Sequence, residues 1–111
     1  MRKTIILLLY FFYFFGFSQT KEIDSLSIQL AYQNQDSSKI DTSLRLIKTL
    51  YQEQEYDKAL KYIANSEKLS SRLNYIKGAA EITYYKALIY SKKDDYINAI
   101  NGYNKAKELY I

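Results

Sequence analysis

Apolar side chains recur every three or four positions along most of this chain, the spacing that puts them on one face of an α-helix. Ile23, Leu26 and Leu30 predict a short helix over residues 23–33. The polar string Asn34 to Ser38 interrupts it, and Asp36, Ser37 or Ser38 can cap the helix that follows. That second helix is expected over 39–53, with Ile40, Leu44, Ile47, Leu50 and Tyr51 as its apolar stripe. A third, over 56–73, turns Tyr56, Ala59, Leu60, Ile63 and Leu69 inward and stops at Asn74, a residue that tolerates a left-handed backbone. A fourth, over 75–92, carries Ile76, Ala80, Thr83, Ala87 and Tyr90, and a fifth occupies 94–110. No stretch shows the period of two of a half-buried strand, so the expected class is all-α.

Ahead of these helices the pattern is different. Arg2 and Lys3 precede fourteen mostly apolar residues, Thr4 to Phe17, and a polar stretch follows. A basic start, a short apolar run and small residues near a cut site make up an export signal. Gly16 and Ser18 suit the two small positions, which predicts a signal peptide over 1–18 with cleavage before Gln19. Fourteen residues fall short of the ~20 that a spanning helix needs, so retention as an uncleaved membrane anchor is the alternative. The expected location is the periplasm. The chain then divides into a lead-in helix over 19–35, one unit over 36–74 and a second over 75–111.

The two units repeat each other at an offset of forty residues. Tyr56 aligns with Tyr96, Ala59 with Ala99, Leu60 with Ile100, Ile63 with Tyr103, Ser66 with Ala106 and Leu69 with Leu109. Upstream, Ile47 aligns with Ala87 and Leu50 with Tyr90. Each unit is therefore a helix, a turn of about three residues and a second helix. Two helix axes approach closely only where side chains are small. Ala99 and Ala106 are expected to provide that approach with Ala87 answering, while Tyr90, Tyr96 and Tyr103 fill the space around them.

The pattern Ala87-x2-Tyr90 followed by Asp95-Tyr96-x2-Ala99-x3-Tyr103-x2-Ala106 resembles the tetratricopeptide repeat (TPR). The first unit is a degenerate version, with Ile47 and Ser66 at small positions and Ala59 kept. Asp94 stands where the family has a turn glycine, and the forty-residue period exceeds the family's thirty-four. The resemblance implies a short α-solenoid of two repeats plus an N-terminal helix. It also implies a concave face made by the first helix of each pair, at Leu44, Lys48, Tyr51, Gln52, Tyr84, Leu88, Ser91 and Lys92. The export signal, Asp24-Ser25-Leu26 and a Leu-Asn-x-x-x-Gly phrase (Leu73, Asn74, Gly78) resemble the start of periplasmic sensor proteins in which such repeats precede a membrane helix and an output domain. The implied role is a protein–protein interaction module at the front of such a protein; the alternative is a free-standing periplasmic adaptor or scaffold. The last repeat is the most faithful one and nothing follows to cover it. Ile97, Ile100 and Leu109 should then stay partly open, with further repeats in cis or self-association through the last helix as the ways to close them.

Composition narrows the chemistry. The chain has no cysteine and no histidine, so thiol nucleophiles, disulfides, imidazole catalysis and the common zinc ligands are all excluded. No metal, cofactor or catalytic residue is expected. Carboxylates such as Glu81 and Glu108 are not paired by spacing, and no phosphate loop or nucleophile elbow occurs. The formal charge of +4 falls to +2 for residues 19–111, where fourteen Lys and Arg stand against twelve Asp and Glu in an interleaved order. Nucleic-acid binding needs a clustered basic face, which this pattern lacks. The run Lys92-Lys93-Asp94-Asp95 places cations at one helix end and anions at the next helix start, where each complements the helix dipole.

Overall fold

A computed structural model of the chain describes residues 20–110. The expected signal peptide over 1–18 and its cut site lie outside the described residues. Those described form five helices and no strand: α1 over 20–32, α2 Ser37–Gln52, α3 Tyr56–Arg72, α4 Ile76–Lys92 and α5 Tyr96–Tyr110. The all-α expectation therefore holds, and each helix end falls within about three residues of its predicted place.

Three turns of one construction link α2 to α5. Gln54, Asn74 and Asp94 adopt positive φ of 61°, 53° and 61°, twenty residues apart. In each turn the next residue's amide closes a helix end: Glu55 donates to the Leu50 carbonyl, Tyr75 to Ser70 and Asp95 to Tyr90, at 2.9–3.0 Å. A left-handed residue just past a helix satisfies carbonyls that would otherwise lack partners. Asn74 fills this role as expected. Gln54 and Asp94 fill it without glycine, at a local cost. At the helix starts, Asp36 caps α2 through the Lys39 amide and Asp95 caps α5 through the Asn98 amide.

Helix α2 is the centre of the core. Ile40, Leu46, Ile47 and Leu50 are fully buried, joined by Leu26 and Leu30 of α1, Ile63 of α3, and Ile82 and Ile89 of α4. Six buried Ser and Thr residues interrupt this apolar interior. Each donates its hydroxyl to a carbonyl one turn back, as Ser66 does to Tyr62 at 2.8 Å and Thr83 to Ala79 at 2.8 Å. That local bond lets Ser66 occupy a position where Ala106 stands in the second unit.

Helix α4 departs from its predicted stripe. Ala80, Thr83 and Ala87 are buried as expected, but Ile76 is exposed, while Ile82 and Ile89 are fully buried on another side. The reason is topological: α4 packs against α2, α3 and α5 at once, so it needs apolar residues around most of its circumference. The α4–α5 approach also centres elsewhere than expected. Ala87, Ala99 and Ala106 are all buried, but the tightest point is Gly102, where an added Cβ would stand 2.9 Å from the Ala87 Cβ. Tyr90 is half-buried, whereas Tyr96 remains 60% exposed and Tyr103, beside Tyr84 of α4, 37% exposed.

Gly78 marks a second close approach. A Cβ there would meet the Tyr75 ring at 2.7 Å and the Ile40 Cγ2 at 2.8 Å. Its absence lets Ile40 of α2 sit against α4 and lets Tyr75 reach back to donate its hydroxyl to the Asp41 Oδ1 at 2.9 Å. The Leu73-Asn74-x-x-x-Gly78 phrase thus has a physical basis: a left-handed turn, an aromatic strut and a gap for a neighbouring helix.

Candidate partner-binding surface

The first helices of the two units, α2 and α4, are in contact, whereas the second helices, α3 and α5, are not. The α2–α4 side therefore closes into a continuous surface, and the α3–α5 side opens. An open cleft of about 650 Å³ lies on that second side, lined by Glu67, Ser71, Thr83, Lys105 and Leu109 among others. A second cleft of about 630 Å³ lies between α1, α2 and α3, beside Lys39, Lys68 and Arg72. Neither cleft includes a residue expected to bind a partner.

Tyrosine rings cross the α2–α4 surface in an unbroken line. Tyr56 lies 6.0 Å from Tyr51, Tyr51 5.9 Å from Tyr85, Tyr85 5.9 Å from Tyr84, and Tyr84 6.0 Å from Tyr103. The two contacts of Tyr85 are edge-to-face, with planes at 72° and 77°, the arrangement favoured by the ring quadrupole. The Lys48 ammonium stands 5.9 Å over the Tyr85 ring, at the outer limit of a cation–π contact. Burial, followed by the neighbouring Tyr84 and Glu81, pushes the Tyr85 hydroxyl above its ordinary acidity range. Tyr85 thus stays a neutral phenol that can donate or accept a hydrogen bond.

Of the eight residues expected on this face, Lys48, Tyr51 and Tyr84 are brought together around Tyr85. Tyr84 is 43% exposed and offers ring surface directly to solvent. Gln52 and Lys92 are exposed at the ends of α2 and α4, and Leu88 and Ser91 are half-buried. Ser91 also accepts the Asp94 amide of the turn through its carbonyl. Leu44 does not join them. At 6% exposure it belongs to the hydrophobic core and presents little to a partner. Tyr85, the hub of the line, was not anticipated. The forty-residue offset aligns it with Arg45, so the repeat gave no hint, and only the Tyr84-Tyr85 pair signalled it.

The charged run at the end of α4 is more than a pair of dipole complements. Lys93 forms an ion pair with Asp57 at the start of α3, and that bond and charge hold the Asp57 carboxyl below its ordinary pKa. Asp94 accepts the Tyr96 hydroxyl at 3.0 Å. Among the described residues, no cluster of three or more acidic, histidine or cysteine side chains could hold a metal, and no helix is long and apolar enough to cross a membrane. Set against protein-family models, curated proteins and solved structures, the chain matches none.

Proposed function

We propose that this chain is an exported, TPR-like protein–protein interaction module, the front part of a periplasmic sensor or signal-transduction protein, and not an enzyme. In this reading α2–α3 and α4–α5 are two units of a short solenoid, and the α2–α4 surface receives an extended peptide or a helix of a partner protein. The observation that carries the reading is the tyrosine line from Tyr56 to Tyr103, half open to solvent, with the Lys48 ammonium over its Tyr85 ring. Tyrosine combines a large, rather rigid ring with a polar tip, which makes it a common anchor at protein interfaces. The matching turns at Gln54, Asn74 and Asp94 support the repeat assignment. No cofactor, metal or nucleic acid takes part.

A free-standing periplasmic adaptor is the second reading, favoured by the fact that all five rings of the tyrosine line lie on described residues. The reading frame beyond Ile111 separates the two, since a following membrane helix and kinase motifs belong only to the sensor. Binding itself is tested by replacing Tyr84 and Lys92 together with alanine and titrating the purified partner. Loss of one interfacial anchor typically costs 1–2 kcal/mol or more, so affinity should fall by roughly tenfold. An unchanged affinity moves the site off this face.

A further inference from the structure

Charges of both signs are interleaved along the sequence, yet the fold gathers three cations on one cleft. The space of about 630 Å³ between α1, α2 and α3 is lined by Lys39, Lys68 and Arg72, and among the described residues that line it there is no carboxylate. The acidic neighbours of these cations are engaged elsewhere. Glu67, next to Lys68, pairs with Lys86 of α4, and Asp36 accepts the Lys39 amide as the cap of α2. The two ion pairs among the described residues use Lys86 and Lys93, so Lys39, Lys68 and Arg72 have no ion-pair partner there.

One of the three stands where its own helix disfavours it. Arg72 lies in the last turn of α3, where a cation complements the helix dipole. Lys39 lies in the first turn of α2, at the positive end of that dipole, and it is half-buried. A cation so placed, with no carboxylate against it, costs stability that a bound anion would return. The uncharged groups of the cleft suit the same kind of guest. Ser27 Oγ donates to the Ile23 carbonyl at 2.8 Å, so in its 3.5 Å contact with Tyr62 the phenol is the donor, and a weakly held one. Tyr62 and the Asn65 amide thus add donors to the lining, and Leu30, Ala31 and Leu69 give it an apolar wall.

We propose that this cleft binds a small organic dianion, its two charges borne by two carboxylates or by one phosphate ester. The volume falls within the about 300–1,000 Å³ of small-ligand sites, and three cations without a carboxylate match two negative charges. Arg72 offers a planar fork to two oxygens of one group, Lys39 and Lys68 supply point charges, and the apolar wall receives the body of the ligand. Because α1, α2 and α3 all line the cleft, the bound anion ties α1 to the first unit. The cleft shares no residue with the tyrosine line, so the two sites stand or fall separately.

The test titrates succinate, glycerol phosphate and, as the single-charge control, acetate into the purified protein by calorimetry at one ionic strength. At least one dianion should bind about tenfold more tightly than acetate, and the tighter of the two shows whether carboxylates or a phosphate carry the charge. Lys39→Gln should weaken that dianion about five- to tenfold, and Lys39→Arg, which keeps the charge, should stay within about threefold of the parent protein. Lys68 and Arg72 also border the α3–α5 cleft, so Lys105→Gln, which alters that cleft alone, is the control and should leave the affinity unchanged. Circular dichroism checks that each variant keeps its helicity. Dianions that bind no more tightly than acetate, or not at all, would overturn the proposal on the parent protein alone. So would a Lys39→Gln variant that binds as well as the parent, a Lys105→Gln variant that loses as much, or sedimentation showing that a stable dimer of this chain covers the cleft.

Discussion

Replacing Gly102 with alanine sets two effects of opposite sign against each other. Alanine favours the helix over glycine by about 1 kcal/mol. The new Cβ, however, would stand 2.9 Å from the Ala87 Cβ and 3.3 Å from its Cα, where carbon atoms settle at about 3.5–4.0 Å. The two helices must move apart by roughly half an ångström or more, and overpacking of this kind costs about 1–3 kcal/mol. The net expectation for Gly102→Ala is a loss of about 1 kcal/mol. Ala87→Gly alone forfeits about 1 kcal/mol of helix propensity and about 0.8 kcal/mol for the buried methyl, ~2 kcal/mol in all. Combined, the two substitutions only move one methyl group across the same gap. The propensities cancel, and the double variant should lie within about 1 kcal/mol of the parent protein. Additivity would instead predict a loss near 3 kcal/mol, well outside the few tenths by which independent sites deviate. Urea unfolding followed by far-ultraviolet circular dichroism reads all four proteins. A double variant as unstable as the sum of the singles would refute the claim that α4 and α5 meet at this pair.

The turn at Gln54 makes a prediction of the opposite sign. A left-handed side-chain residue costs about 1–2 kcal/mol, and glycine's extra freedom when unfolded returns about 0.4–1 kcal/mol, so Gln54→Gly should stabilise by roughly 0.5–1 kcal/mol in the same assay. A destabilised variant would contradict the left-handed assignment. Above the ordinary tyrosine value of 10.0, stability should fall as pH rises. Burial keeps the Tyr85 proton bound in the folded protein at a pH where the unfolded chain has released it, so the folded advantage is complete below that value and is lost as pH climbs through the raised one. Tyr85→Phe keeps the ring and removes the titration, and it should flatten the alkaline decline of the urea midpoint; an unchanged slope would assign that decline to other groups such as Tyr75 or Tyr96.

Much of the architecture was legible because the helices that show it are one-sided. On α2 the residues Ile40, Leu44, Ile47 and Leu50 form a single stripe, and all four are buried. The same logic fell short on α4, where the predicted stripe left out the fully buried Ile82 and Ile89. A helix enclosed by three neighbours has no polar face for periodicity to reveal. Asn74 announced its left-handed turn by residue type and Asp94 by standing at a turn-glycine position of the resembled repeat, whereas Gln54 showed its turn only through the twenty-residue spacing of the finished structure. Gly102 was hidden by its flanking alanines: their regular spacing pointed to Ala99 and Ala106 as the close approach, and both do lie in the α4–α5 seam. On the candidate surface, Lys48, Tyr51 and Tyr84 could be placed by analogy with the repeat. Leu44 falls by sequence both in the α2 stripe and on the concave face, and its burial in the core with Ile40, Ile47 and Leu50 makes it a stripe residue. Tyr85 escaped because its partners, Tyr51 and Lys48, come from the other unit.

The most direct test of the binding reading places a photo-reactive amino acid at one position at a time in the living cell. Tyr84 lies on the tyrosine line and Lys61 lies exposed on α3, the helix outside the α2–α4 surface. The account predicts a discrete adduct with a partner protein from position 84, abolished by Tyr51→Ala, and none from position 61. Equal cross-linking from both positions, or an adduct from position 61 alone, would contradict the assignment of the α2–α4 tyrosine surface as the binding site.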